Sequence, residues 1–186
     1  MKEVWELCKK LNNPVRLKVL AEIYAMRPAP GVNVGVLVES CGLNEPTVSE
    51  HLSALASLGL IRRRRSGRFV NYYPEISNEH PRIAEIGLLI RERVMTNPGD
   101  LSFASVFAAM MNAFRARAVA FIAKSNGATL LDLAEKYDKE MRLVTRDLKP
   151  AVESGLISVS AEGADGVYRY NPPSDPIAQR IVELSG

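Results

Sequence analysis

Five arginines crowd into one short stretch, Arg62, Arg63, Arg64, Arg65 and Arg68, around Ser66-Gly67. Planar guanidinium groups at this density suit bidentate binding of phosphate oxygens. In a strand, alternation sends Arg62 and Arg64 to one side and Arg63 and Arg65 to the other, so part of the run is a solvated face. Arg68, at the turn, is the candidate for a phosphate or minor-groove contact. Upstream, Val48, Leu52 and Leu55 form an apolar helical stripe from which Thr47, Ser49, Glu50 and Ser53 project away. The hydroxyls of Thr47 and Ser49 can donate to phosphates or base edges, and His51, at the rim of the stripe, to a phosphate. Glu45 and Glu50 argue against heavy phosphate contact by this helix.

Other chemistries lack their residues. There is no phosphate-binding glycine loop and no supported pairing of nucleophile with base, so an enzyme is not expected. Cys8, Cys41, His51 and His80 show no tetrahedral ligand spacing, so neither metal nor cofactor is expected. The chain has 186 residues, 47% hydrophobic and 24% charged, with a net charge of +3. That balance alone does not indicate a nucleic-acid binder. Its distribution is more informative: up to Pro98 there are 14 basic against 10 acidic residues, and beyond it 10 against 11. Attraction to phosphate should therefore reside in the first part. Two cysteines without paired spacing fit a reducing compartment. The first residues have no apolar signal core. The longest apolar stretch, 103–114, falls short of the ~20 residues of a membrane span. A soluble, cytoplasmic protein is the simplest expectation.

The elements that must position these groups are written twice. Gly59-Leu60-Ile61 recurs as Gly155-Leu156-Ile157, an offset of 96 shared by Leu37 and Leu133, Val48 and Val144, and Leu52 and Leu148. Upstream, Leu11-Asn12 against Met111-Asn112 suggests an offset of 100, with the extra residues in the connection 27–31. Each copy reads as two helices, a short helix and a longer one, then a hairpin and a Pro-led closing helix. Asn13-Pro14 starts one helix, and Val36 to Ser40 forms a short one closed by Gly42. Asn44 caps the next, and Gly59 ends it. Strands at 61–65 and 69–73 follow. The second copy runs through helices at 130–137 and 140–154 and strands at 157–160 and 167–170. Pro150 should kink or shorten its longer helix.

Two short helices, the second presented outward, and then a basic hairpin describe a helix-turn-helix with a wing. The run from Leu43-Asn44-Glu45-Pro46-Thr47-Val48-Ser49-Glu50-His51-Leu52 into Gly59-Leu60-Ile61 and the arginines resembles the ArsR family's recognition helix and wing. Leu11 to Leu20 is similar to that family's opening helix, and the resemblance covers residues 1–95. It implies a sequence-specific DNA-binding regulator, usually dimeric and often responsive to a small-molecule effector. Many relatives bind metal through a Cys-x-Cys pair, but Asn33 and Gly35 fall at those positions here.

The expected fold is mainly α with small β-hairpin wings: tandem winged helix-turn-helix domains over 1–97 and 98–186. In the second, Arg142, Thr145 and Arg146 are candidate DNA contacts. Its hairpin, however, carries Glu162 and Asp165 and only Arg169, so it either binds DNA by its helix alone or serves dimerisation or a ligand. Ile83, Ile86, Leu89, Ile90 and Val94 give one helix a broad apolar side. Phe103, Phe107, Met110 and Phe114 suggest a coiled-coil-like seam on another. Through these helices the expected assembly is a homodimer or a pseudo-dimer within one chain, bound to double-stranded DNA. A tandem winged-helix protein-interaction module, as in chromosome-condensation scaffolds, is the alternative function.

Overall fold

The computed structural model describes residues 4–26, 31–161 and 166–186. The connection 27–30 and the acidic residues Glu162 and Asp165 lie outside that set. The chain is mostly helical with two small antiparallel sheets. It divides into two units: Lys10–Ala104 in one, and Val4–Lys9 with Ser105–Gly186 in the other.

After α1 (Val4–Leu11), the first unit is built on α2 (Pro14–Ala25), β1 (Val32–Asn33), α3 (Val34–Cys41) and α4 (Glu45–Leu58). β2 (Arg62–Ser66), β3 (Phe69–Tyr73) and α5 (Pro81–Thr96) complete it. Asparagine opens three of these helices. Asn13, Asn33 and Asn44 accept from the backbone N–H of Arg16, Val36 and Thr47 at 2.9, 3.1 and 3.0 Å. Each satisfies one donor that the first turn leaves free. Leu17, Val19, Leu20 and Ile23 of α2 and Val48, Leu52, Leu55 and Leu58 of α4 supply the core, where α2 packs on α3, α4 and α5. The sheet order is β1-β3-β2, with Tyr72 between Val32 and Arg63.

The second unit contains α6 (Ser105–Met110), α7 (Ala113–Lys124), β4 (Ala128–Thr129), α8 (Leu130–Lys136) and α9 (Met141–Glu153). β5 (Ile157–Val159), β6 (Val167–Tyr170) and α10 (Pro176–Leu184) follow. From α7 onward the element order repeats that from α2 to α5, and the sheet order β4-β6-β5 matches strand for strand. The 96-residue offset holds from sheet to sheet: Tyr72 and Tyr168 are both buried central-strand residues. Gly59 and Gly155 end equivalent helices at φ +78° and +77°, a left-handed backbone that glycine adopts without steric cost.

Upstream, the structural offset is 99, not 100. Asn112 caps α7 through Arg115 N–H as Asn13 caps α2 through Arg16. The buried Ala116, Ala118, Val119 and Ile122 then match Leu17, Val19, Leu20 and Ile23. Pairing Asn12 with Asn112 by identity misplaced the register by one residue, because the capping asparagine is the one that aligns.

Two further expectations are corrected. The seam Phe103–Phe114 is not one helix: Ser102–Ala104 is a 3₁₀ turn, α6 stops at Met110, and the chain bends by 108° into α7. The Asn112 cap starts a new helix there, so Phe103, Phe107 and Met110 are buried core residues and not a continuous stripe. Pro150 does not shorten α9, which continues to Glu153 with the Ser154 N–H donating to the Pro150 carbonyl at 3.1 Å. It lies in the last turns, where the lost N–H interrupts the ladder without ending it. By its contacts the chain divides after Ala104. Arg93 of α5 holds Asp100 at 3.0 Å, and Asp100 N–H donates to the Asn97 carbonyl, so this stretch stays fastened to the end of α5. Among the described residues no single helix is long and apolar enough to cross a membrane.

Candidate nucleic-acid interface

α3 ends at Gly42, in the left-handed conformation at φ +66°, and Asn44 caps α4 after a three-residue turn. Burial of Val48, Leu52, Leu55 and Leu58 fixes the rotation of α4. Glu50 and Ser53 are then exposed, and Thr47 and Ser49 half-buried. Glu50 is engaged by Arg16 of α2 at 3.7 Å, so one of the two acidic residues on this helix has a cationic neighbour.

His51 is not at a solvent-facing rim. It is 5% exposed, beneath α4, and its Nδ1 and the nearby Arg16 Nε are buried without a hydrogen-bond partner among the described residues. That burial leaves little of the His51 ring exposed to meet a phosphate. The position has a counterpart in the second unit: Arg115, equivalent to Arg16, donates from Nε to the carbonyl of Asp147, equivalent to His51, at 2.6 Å. In the second unit this bond joins α7 to α9, whereas in the first Arg16 reaches α4 through Glu50. Burial, and secondarily the Arg16 guanidinium, lowers the His51 pKa below its ordinary 6.5, against an opposing pull from Glu50. Its folded pKa therefore lies below its unfolded one. The stabilisation is fully present above 6.5 and is lost as pH falls through 6.5 toward the folded value. Urea midpoints measured from about pH 7.5 to about pH 5 should fall on the acid side, and His51→Gln should flatten part of that fall. An identical acid limb in the variant would remove His51 as its source.

The hairpin pairs Arg62 with Tyr73, Arg63 with Tyr72, Arg64 with Asn71, Arg65 with Val70 and Ser66 with Phe69, and every residue of β2 is exposed. Gly67 turns the chain at φ +60°. Cross-strand partners share a face. Arg63 and Arg65 thus extend the face of buried Tyr72, while Arg62 and Arg64 lie on the other. There they converge on Glu75 Oε2 at 3.3 and 2.7 Å, and Arg64 also sits 4.9 Å from the Tyr73 ring centre. Arg65 donates to the Gly67 carbonyl at 3.1 Å, and Arg68 lies 5.0 Å from the Phe69 ring centre. Neither they nor Arg63 meets a carboxylate among the described residues. The run therefore separates into two arginines held by one acid and three cations uncommitted to any. Sequence inspection missed Glu75 and Phe69. The signal for Glu75 was its even spacing from Tyr73, on the side of Arg62 and Arg64; for Phe69 it was an aromatic at an outward position beside a turn.

In the second unit the arginine positions 62–65 correspond, at the same offset, to Ser158, Val159, Ser160 and Ala161. Its hairpin keeps the exposed Arg169 on β6, and the candidate contacts on α9 are engaged locally. Arg146 donates to Asp147 at 2.9 Å and Arg142 lies 3.8 Å from Glu140, while the Thr145 hydroxyl donates to the Met141 carbonyl at 3.1 Å.

A family model described as a helix-turn-helix domain matches residues 11–64, the stretch from the end of α1 to the middle of β2. A Streptomyces lividans protein described as a probable mercury resistance operon repressor is 34% identical over 83 residues, covering 45% of this chain and 60% of the relative. The chain thus spans less than two thirds of that relative's length. Residues 11–64 form a helix-turn-helix domain.

Proposed function

We propose that this chain is a sequence-specific regulator of ArsR type that binds double-stranded DNA, with α4 entering the major groove and the β2–β3 hairpin acting as a wing on the phosphates. The observation that carries this reading is the exposed trio Arg63, Arg65 and Arg68, without acidic partners among the described residues, directly after the capped helix of the matched domain. An α-helix about 10–12 Å across fits the major groove, and cations on a neighbouring hairpin neutralise flanking backbone. Thr47 and Ser49 are the α4 groups offered for contact. Arg142, Thr145 and Arg146 are secondary contacts, each already bonded locally. The chain acts by binding, without cofactor or catalysis. The repeated element order supports reading residues 105–186 as a second winged-helix copy.

The relative's printed name refers to mercury resistance, and a mercury site does not transfer to these residues. Cys8 and Cys41 are both buried and group with different units, and burial pushes the Cys8 thiol far up. A soft metal ion needs accessible, convergent thiolates. Assembly as a homodimer or intramolecular pseudo-dimer rests on α5, whose Leu88 and Met95 are exposed one heptad apart. A cleft of about 620 Å³ between the end of α4, the base of β2 and residues 75–80 offers room for a small effector. One observation favours the second reading, a protein-interaction module: in the second unit, uncharged residues stand where Arg62 to Arg65 stand in the first, and Val159 there is exposed.

The test is binding of the full chain to a duplex selected from a randomised pool, and to its scrambled version, across a salt series. Tight, selective binding with a steep salt slope is expected. Failure to bind any duplex below micromolar at low salt would leave the interaction module as the better reading.

A further inference from the structure

Among the described residues, Phe69 is the one aromatic side chain that stands with the exposed large hydrophobics, 57% accessible at the tip of the arginine hairpin. Strand parity turns its neighbours Val70 and Tyr72 the other way, and its cross-strand partner is Ser66, which offers a ring no apolar cover. Burying a phenylalanine would contribute roughly 2–3 kcal/mol to folding, and this hairpin forgoes it. The ring is held in place instead by the Arg68 guanidinium, 5.0 Å from its centre, next to the Gly67 turn. Two chemical features therefore meet at one narrow tip: a cation suited to the negative potential of a narrow minor groove, and a flat apolar ring of the size that wedges between base pairs.

We propose that Phe69 is a DNA wedge. The hairpin tip enters the minor groove, Arg68 takes phosphate or base-edge acceptors there, and the Phe69 ring opens one base step and bends the duplex toward the major groove. The ring reads how easily a step opens, not its hydrogen-bonding edge, so pyrimidine–purine steps are favoured at the tip. This inference rests on the DNA-binding reading above and adds a specificity determinant to the same site.

The experiment uses the full chain and a selected duplex carrying aminopurine at successive steps, with a donor–acceptor dye pair at its ends. Wild type should raise aminopurine emission at one step and shorten the end-to-end distance. Phe69→Ala should lose both signals and bind about tenfold more weakly, as loss of one base–aromatic stack implies. Its salt slope should match wild type, because no phosphate contact is removed. Phe69→Leu, an aliphatic wedge, should keep part of the bend. Both variants should melt with wild type because the ring is exposed; if Phe69→Ala unfolds, Phe69→Gln carries the same comparison. Steep, salt-dependent wild-type binding with flat emission at every step and no bend would overturn the wedge and leave the regulator standing. So would a Phe69→Ala complex as bent and as tight as wild type, which would point instead to a protein partner for the ring. Absence of wild-type binding to any duplex overturns the regulator reading, and the wedge with it.

Discussion

Replacing Arg63, Arg65 and Arg68 together with alanine should lower the slope of log affinity against log salt by up to about 2.7, from the ~0.9 that each neutralised phosphate contributes. Affinity at moderate salt should fall by about two orders of magnitude, since a charge-assisted hydrogen bond is worth roughly 1.5–3 kcal/mol and the three losses are not additive. All three side chains are exposed, so the thermal midpoint should stay where it is. The informative control is Arg62→Ala with Arg64→Ala. These two already share Glu75 at 3.3 and 2.7 Å, and removing them also frees that carboxylate to repel phosphate. The double change should therefore weaken binding, with a smaller change in slope per arginine lost. A slope equal to wild type in the triple variant would remove the hairpin from the interface.

The second large effect is on folding. Leu52 and Leu148 are both fully buried at matching positions of α4 and α9. Truncating a buried leucine to alanine costs about 2–5 kcal/mol through lost transfer energy and the cavity left behind. Leu52→Ala and Leu148→Ala should each fall in that range, read as a drop in urea midpoint with tryptophan fluorescence and circular dichroism followed in parallel. Near-neutral behaviour of Leu148→Ala would mean that α9 does not use the core register it shares with α4.

Much of this architecture was legible because capping and termination are local. Asn13, Asn44, Gly42 and Gly59 act through hydrogen bonds and backbone angles within a few residues of themselves, and each behaves as the sequence implied. The misreadings came from features decided at a distance. His51 lies beside the α4 stripe in sequence, and only the packing of α2, with Arg16 against it, makes it a buried residue. Phe103 to Phe114 has coiled-coil spacing, but a periodic pattern continues on paper through a cap that physically starts a new helix. The division of the arginines was half visible. Alternation separated Arg62 and Arg64 from their neighbours; that Glu75 would hold them depended on where the chain goes after β3.

The grouping of Val4–Lys9 with Ser105–Gly186 has a consequence for the order in which the molecule is made. Leu7 and Cys8, which have no exposed surface in the finished protein, are synthesised early. The residues with which they group emerge only after Ala104, so this grouping is completed only after the intervening unit has been made. Contacts so far apart in sequence carry a large loop-closure cost and form late. The first unit can begin folding as soon as its own segment is free, whereas closure of the second must wait for the last helix. Refolding should accordingly be biphasic, and the early segment is where a holding chaperone would act.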